Sequence, residues 1–338
     1  MSVAWGLLST ARVNRQILEA AEETDQARVV AVASRDRGRA EAHAREHGVG
    51  RAYAPYEALL EDSDVEAVYI SLPNSLHVEW TLRALEAGKH VLCEKPFSRR
   101  PEEVERAFDL AESAGLVLSE AFMWRHHPQT KRVAALAREG ALGQLHLVGA
   151  TFSFQLAAVH GADDARFRPE LDGGSLMDVG CYCVNAIRLL AGEPERVSAE
   201  QVVGKSGVDV CFAATLRCPN DVIARFDCGF VLPSRGGIEV VGESASLLVA
   251  DPWHAHSPGI ELRREDEVES IPVEHANSYR LELENIAAAI RGDEAPLLGR
   301  ADALGQARAL EALYRSANAA TSVELGPSPV PTSPRSLS

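Results

Sequence analysis

Ala67-Val68-Tyr69-Ile70-Ser71-Leu72 runs straight into Pro73-Asn74-Ser75-Leu76-His77, and this join decides the fold of the first half of the chain. The first six residues are almost wholly apolar, as a strand covered on both faces should be. The next five turn the chain and open a helix over Leu76–Ala87. The same unit repeats to either side. Upstream, the pattern predicts strands Val3–Leu8 and Val29–Ser34 and helices Asn14–Glu23 and Gly38–His47. Downstream it predicts strands His90–Cys93 and Val117–Ser119 around a helix Pro101–Ser113. Strands alternating with helices of this length imply right-handed crossovers and a mostly parallel sheet. Residues 1–120 therefore form an α/β domain.

Beyond residue 120 the texture changes. Helices are expected over Pro128–Glu139, Gly174–Ala191, Tyr279–Arg291 and Ala301–Ala319. Between them lie β-rich runs at Val197–Val203, Val208–Arg217, Val222–Val231, Ile238–Val241, Leu247–Ala250, Ile260–Arg264 and Val268–Val273. In the third, Val222, Ala224, Phe226, Cys228 and Phe230 alternate with Arg225, Asp227 and Gly229, which gives one apolar and one more polar face. Residues 121–325 thus read as an α+β domain with an open, largely antiparallel sheet. The Pro- and Ser-rich tail, 326–338, cannot build a core and reads as disordered.

At 338 residues, 46% of them apolar, the chain can support two domains with separate cores. A net charge of -15 argues against a nucleic-acid partner, since phosphate binding needs clustered cations. No apolar run approaches a membrane span, and the first residues lack the basic start of a signal peptide, so a cytoplasmic protein is expected. The six cysteines show no CxxC spacing and read as buried thiols, with no metal centre.

After the first strand comes Ser9-Thr10-Ala11-Arg12-Val13-Asn14, where a Rossmann dinucleotide-binding protein would show GxGxxG. Small residues hold the first and third places, and asparagine the last. A helix starting near Val13 still offers amide groups and a positive dipole end to a pyrophosphate. The second strand ends at Ser34-Arg35, with Arg39 one helical turn on, near where a ribose-reading acidic residue would stand. A hydroxyl and two guanidinium groups suit a 2′-phosphate, which favours NADP, with NAD possible. The plainer alternative is that these arginines solvate a helix start.

Leu72, Pro73, Asn74 and His77, together with Glu94, Lys95 and Pro96, fall at the carboxyl edge of the parallel sheet, where open α/β sheets place their ligands. Proline after Lys95 biases it towards extended backbone, which aims the side chain. Further on, Asp178 and Tyr182 lie four residues apart in an expected helix and would share a face, with Asn185 on the same side. By spacing alone, Asp178 as a dipole-complementing carboxylate and Tyr182 as half-buried packing is the favoured reading. Trp124, Arg125 and Phe154 are candidate walls of a cofactor and substrate cleft.

The Glu94-Lys95-Pro96 segment after a Rossmann half resembles the Gfo/Idh/MocA oxidoreductase family. Trp5–Arg12, Ala33-Ser34-Arg35-Asp36, Glu120–Arg125 and Asp178-Val179-Gly180-Cys181-Tyr182 are similar to its NADP-dependent D-xylose 1-dehydrogenases and dimeric dihydrodiol dehydrogenases. The likeness runs to about residue 320. One departure is Tyr182, where many members carry histidine. The resemblance implies hydride transfer between a nicotinamide and the hydroxyl-bearing carbon of a sugar or cyclic diol. It makes Lys95, Tyr182 and Asp178 catalytic, with Lys95, Phe154, Asp178 and Tyr182 at the substrate. Ser9, Thr10, Ala11, Arg12, Val13, Ser34, Arg35, Arg39, Leu72, Pro73, Asn74, His77, Glu94, Lys95, Trp124 and Arg125 would line the coenzyme.

Tyr182 would exchange the hydroxyl proton. A free phenol titrates near ~10, and an ammonium at ~4 Å in an effective dielectric of ~20 contributes about 4 kcal/mol towards lowering it. Lys95 would supply that charge. A keto-sugar or deoxy-sugar reductase is the alternative enzyme, and a non-catalytic NAD(P)-binding regulator the alternative of another class. The family habit of covering the open sheet with a second copy implies a homodimer or homotetramer.

Overall fold

In the computed structural model, which describes residues 2–326, the first strand β1 (Val3–Leu8) is fully buried. After it come α1 (Asn14–Glu22), β2 (Ala27–Ala33), α2 (Arg37–His47), β3 (Arg51–Tyr53), α3 (Tyr56–Leu60), β4 (Ala67–Ile70), α4 (His77–Glu86), β5 (His90–Glu94), α5 (Pro101–Ala114) and β6 (Leu118–Ala121). Six strands pair in parallel in the order β3-β2-β1-β4-β5-β6, the doubly wound arrangement expected of apolar strands and crossover helices. Local signals set the helix ends. Asp36 caps α2 by accepting from the Arg39 amide at 2.7 Å, and Gly48 ends it at φ 68°. The short β3 and α3 carry too few residues for periodicity to betray them.

The second half comprises α6 (Pro128–Arg138), β7 (Leu145–Gln155), α7 (Leu156–His160), α8 (Cys181–Ala191), β8 (Arg196–Val203), β9 (Asp209–Arg217), β10 (Ile223–Gly229), β11 (Val231–Gly242), β12 (Ser246–Val249), β13 (Ile260–Arg264) and β14 (Glu267–Ile271). Two helices, α9 (Ser278–Arg291) and α10 (Arg300–Ala319), and a short β15 (Val323–Glu324) close the described chain. Nine strands form one sheet, β14-β13-β12-β11-β7-β10-β9-β8-β15, antiparallel except where β10 runs parallel to β7. Val222, Ala224, Phe226, Cys228 and Phe230 are all buried, as their alternation predicted.

Three expectations need correction. β7, the middle strand of the sheet, was not expected at all. Its Val148, Ala150, Phe152 and Phe154 alternate with Leu147, Gly149, Thr151 and Ser153, but small and polar residues on one face mute the contrast. The run Val222–Val231 is two strands, because Val231 already opens β11, which is longer than the expected Ile238–Val241. Finally, α9 does not belong with the second half. The chain divides into one unit of Met1–His127, Glu170–Asp172 and Ala276–Leu304, and another of Pro128–Pro169, Gly173–His275 and Gly305 onward.

The reason for α9's placement is its apolar stripe. Leu283, Ile286 and Ala287 join Trp5, Leu7, Ile17, Tyr69 and Leu92 in one core. Full burial of such a leucine or isoleucine contributes roughly 1.5–3 kcal/mol. Asn277 starts the helix by accepting from the Tyr279 and Arg280 amides at 3.1 and 3.3 Å, and Gly292 ends it at φ 79°. The expected disordered tail falls, but for Gly326, outside the described residues. No described helix is long and apolar enough to cross a membrane.

Candidate active site

The order of the parallel sheet reverses between β1 and β4, and at such a switch point strand ends diverge and leave a crevice. Ser9 follows β1 there with φ 145°, a conformation natural to glycine and rare for other residues. The turn thus keeps the backbone of a glycine-rich phosphate loop with serine in first place. A buried chain of hydrogen bonds holds it. The Ala11 amide donates to Ser9 Oγ at 3.0 Å, Ser9 Oγ lies 2.8 Å from Ser71 Oγ, and Ser71 donates to Asn14 Oδ1 at 2.6 Å. Asn14 Nδ2 closes the loop on the Ser9 carbonyl at 2.8 Å. Asparagine at the sixth place of the motif therefore braces the strained first place. No acidic side chain stands in the first turn of α1, so its positive end is left for an anion.

At the end of β2, Ser34 is buried and its Oγ accepts from the Asp36 amide at 3.3 Å, while Arg35 is exposed. Arg39 Nη2 reaches Thr10 Oγ1 at 3.5 Å. The arginine expected to read the ribose thus touches the phosphate turn, so Thr10 and Arg39 form one polar corner, with Ser34 and Arg35 just past the end of the adjoining β2. Its hydroxyls and guanidinium groups fit the phosphate-bearing end of a dinucleotide.

Lys95 stands at the carboxyl end of β5, half-buried, followed by a cis Lys95-Pro96 bond. The side chains around it are tightly placed. His77 is 1% exposed, with Nδ1 2.9 Å from the Pro96 carbonyl and Nε2 2.8 Å from the Leu72 carbonyl. It ties the end of β4 to the lysine segment rather than offering its ring to a coenzyme. Burial lowers its pKa, outweighing the two carbonyl contacts that raise it, and the Lys95 ammonium adds to the lowering. Glu94 accepts from the Tyr69 hydroxyl and from the Lys95 amide, the latter at 3.3 Å. Glu120 takes the Phe97 amide at 2.8 Å. Asn74 Nδ2 donates to the Asp172 carbonyl at 2.8 Å, and Arg99 pairs with the Asp172 carboxylate at 3.1 Å. Trp124 is 2% exposed and serves the core, and Arg125 pairs with Asp302 at 3.1 Å.

In the second unit, the expected α-helix from Gly174 is corrected. Leu176–Gly180 form a π-helical turn and the α-helix begins only at Cys181, so Asp178 and Tyr182 are not related by a simple α-helical i, i+4 step. Contacts with the sheet fix both ends of this turn. Asp209, 4% exposed, accepts from Ser175 Oγ and the Leu176 amide at 2.7 Å each and from the Tyr314 hydroxyl at 2.9 Å. Gly180 presses on the sheet, where an added Cβ would lie 2.7 Å from Cys228 Sγ. A π turn inside a helix is frequently a functional feature.

Asp178 Oδ2 pairs with Arg166 Nη1 at 3.2 Å. The Tyr182 ring is 8% exposed and meets Phe152 and Trp253 edge-on at 5.5 and 5.8 Å. Phe154 packs on Phe230 at 5.9 Å beneath the Arg166 guanidinium, also at 5.9 Å. Arg166, Asp209, Tyr69 and Glu282 were not among the expected site residues. Among the described residues, no group of three or more His, Cys, Asp or Glu is placed to hold a metal ion.

Residues 6–122 match the model of the Gfo/Idh/MocA oxidoreductase family with NAD-binding Rossmann fold, and residues 130–248 match that family's C-terminal domain. The chain belongs to the Gfo/Idh/MocA family. Like other members of this family, it is an oxidoreductase built on a nicotinamide-dinucleotide-binding domain. It is 38% identical over 327 residues to D-xylose 1-dehydrogenase (NADP(+)) 2 of Haloferax volcanii, covering 95% of this chain and 99% of that one. It is 33% identical over 256 residues to trans-1,2-dihydrobenzene-1,2-diol dehydrogenase of Bos taurus, 75% of each chain. Among solved structures, a 3-ketoreductase of Actinomadura kijaniata in complex with NADP and TDP-benzene superposes with a TM-score of 0.88 at 31% identity, covering 94% of this chain and 98% of that one.

Proposed function

We propose that this Gfo/Idh/MocA protein is an NADP-dependent dehydrogenase that oxidises a ring hydroxyl of a sugar or cyclic trans-diol, D-xylose to its lactone being the leading reaction. The observation that carries it is Lys95, held at the carboxyl edge of the parallel sheet by backbone and side-chain bonds through Glu94, His77 and Tyr69. The likeness to a D-xylose dehydrogenase over 95% of the chain supports the substrate.

NADP is the coenzyme we assign, on the Thr10–Arg39 contact and the hydroxyl of Ser34 where an NAD enzyme would place a carboxylate. When bound, it supplies the hydride acceptor. The protein's own part is proton transfer and orientation. Tyr182 accepts the substrate's hydroxyl proton, the Lys95 ammonium stabilises the phenolate and the substrate oxygen, and Asp178 orients the substrate. Ser9, Thr10, Ala11, Arg12 and Val13 would take the pyrophosphate, with Leu72, Pro73 and Asn74 along the nicotinamide side.

A second activity is favoured by the ketoreductase of similar structure: reduction of a keto-sugar by the same residues in reverse. Incubating the protein with NADP and a panel of aldoses and trans-diols, then with NADPH and keto-sugars, and following coenzyme absorbance separates the two. Turnover of keto-sugars alone would overturn the dehydrogenase assignment.

We also propose that a second copy covers the open face of the nine-stranded sheet. That face carries a trough of about 650 Å³ lined by Gly149, Thr151, Ala213, Thr215 and Gly237, with Ile223 42% exposed on the same sheet. A monomeric mass in solution would contradict it. Free cysteines at all six positions support a reducing, cytoplasmic setting.

A further inference from the structure

We propose that Arg166 is a positioning residue for the reaction assigned above: anchored on Asp164, it holds the Asp178 carboxylate at the angle the substrate requires. This deepens the proposed function and rests on it.

Arg166 lies in a short turn of the second unit, far in sequence from any strand end, yet its side chain is fixed on three sides. Its Nε and Nη2 donate to the two oxygens of Asp164 at 2.9 and 3.2 Å, a two-bond fork that only a planar guanidinium can make. Asp164 also takes the Arg166 amide at 3.1 Å, so anchor and arginine form one local unit. The remaining edge of the fork, Nη1, points at Asp178 Oδ2, 3.2 Å away. The aromatic ring of Phe154 lies 5.9 Å below the cation.

The backbone is fixed as well, and this accounts for the Asp172-Gly173-Gly174-Ser175 run. The Gly174 amide donates to the Arg166 carbonyl at 3.0 Å, with Gly174 at φ 124°. Gly173 packs against the same carbonyl so closely that a Cβ has no room. The glycine pair is therefore the seat of the Arg166 turn, immediately before the π turn that carries Asp178.

The burial argues for a role beyond stability. The side chains of Asp164, Asp178 and Arg166 are 8%, 14% and 27% exposed, so both carboxylates meet this guanidinium largely out of water. Bringing a second carboxylate to the same guanidinium costs desolvation, which is reasonable where Asp178 must be held immobile for another purpose.

The test is steady-state kinetics of the full-length wild type and the R166Q, R166K and D164N variants, with NADP and D-xylose as probe. The expected result for R166Q is a kcat about 10- to 100-fold lower, from loss of orientation at an intact site, with KM for NADP within about twofold of wild type. R166K, which restores the charge without the fork, should recover part of that loss. D164N, which leaves Arg166 but removes half its anchor, should lower kcat by about 3- to 10-fold. A kcat for R166Q within twofold of wild type would overturn the assignment. So would a rise in KM for D-xylose at unchanged kcat, which would make Arg166 a simple substrate contact. D164N with wild-type kinetics would overturn the anchorage. Should R166Q fail to fold, D164N decides, and a kcat indistinguishable from wild type in D164N overturns the proposal. Wild-type protein that turns over no sugar or diol sinks the underlying reaction and this proposal with it, whereas active wild type with unaffected variants sinks this proposal alone.

Discussion

The Tyr69 hydroxyl on β4 donates to the carboxylate of Glu94 at the end of β5, the residue immediately before Lys95. Tyr69 is wholly buried, and burial, then the Glu94 charge, push its phenol well above the ordinary range, so it remains the donor. The pair is a brace beneath the lysine. Tyr69→Phe removes this donor from a half-buried carboxylate and leaves a wholly buried ring without its hydroxyl bond, which should cost about 1 kcal/mol in urea unfolding and lower kcat as Lys95 loosens. Unchanged stability and turnover would show that the brace is dispensable.

Glu282, on α9, is 1% exposed and neither carboxyl oxygen has a hydrogen-bond partner, with the His126 ring Nε2 3.9 Å away. Burial, and then the Glu94 charge, push its pKa well above the usual value. A carboxyl whose folded pKa is raised contributes fully below its unfolded pKa, about 4.3, and loses that contribution as pH rises towards the folded value. Glu282→Gln removes the liability. Its stability relative to wild type should be near zero at acid pH and grow with pH, by at most ~1.4 kcal/mol per pH unit for one proton. Thermal denaturation of both proteins from pH 4.5 to 8.5 reads this, and parallel curves would refute it.

Asn14 occupies the last glycine place of the dinucleotide motif, yet restoring glycine there should harm this protein. Its amide carries two buried hydrogen bonds, to Ser9 and from Ser71, that hold the turn at φ 145°. Asn14→Gly should destabilise by about 2 kcal/mol and weaken NADP binding. Calorimetric titration showing equal or tighter binding would mean that the network is incidental.

Coenzyme choice should follow Arg39. Removing it as Arg39→Ala takes a guanidinium from the corner at Thr10 and should weaken NADP about 10- to 100-fold while leaving NAD nearly unaffected. Equal losses for both coenzymes would assign Arg39 to the fold or the pyrophosphate instead.

Much of the first unit was legible because its strands are continuous apolar runs and its helices carry cap residues, as with Asp36 and Gly48. Ser34, Arg39 and Lys95 stand out in the sequence because strand ends are where such a sheet places its ligands. The gaps have physical causes. Periodicity shows that Leu283, Ile286 and Ala287 form a stripe but not which core receives it. The π turn is flanked by contacts to Asp209 and Cys228, each distant in sequence, whereas local spacing alone suggests an α-helix. Arg166 lies in a stretch without periodicity, its one local cue being Asp164 two residues earlier at a capping place.

Lys95→Ala tests the account most directly, with turnover and NADP affinity measured on the same preparation. The account predicts kcat reduced by about 10²–10⁴-fold while the Kd for NADP stays within about threefold, because the coenzyme is held chiefly by the Ser9 turn and the Arg39 corner. Near-normal turnover with the alanine variant would contradict it.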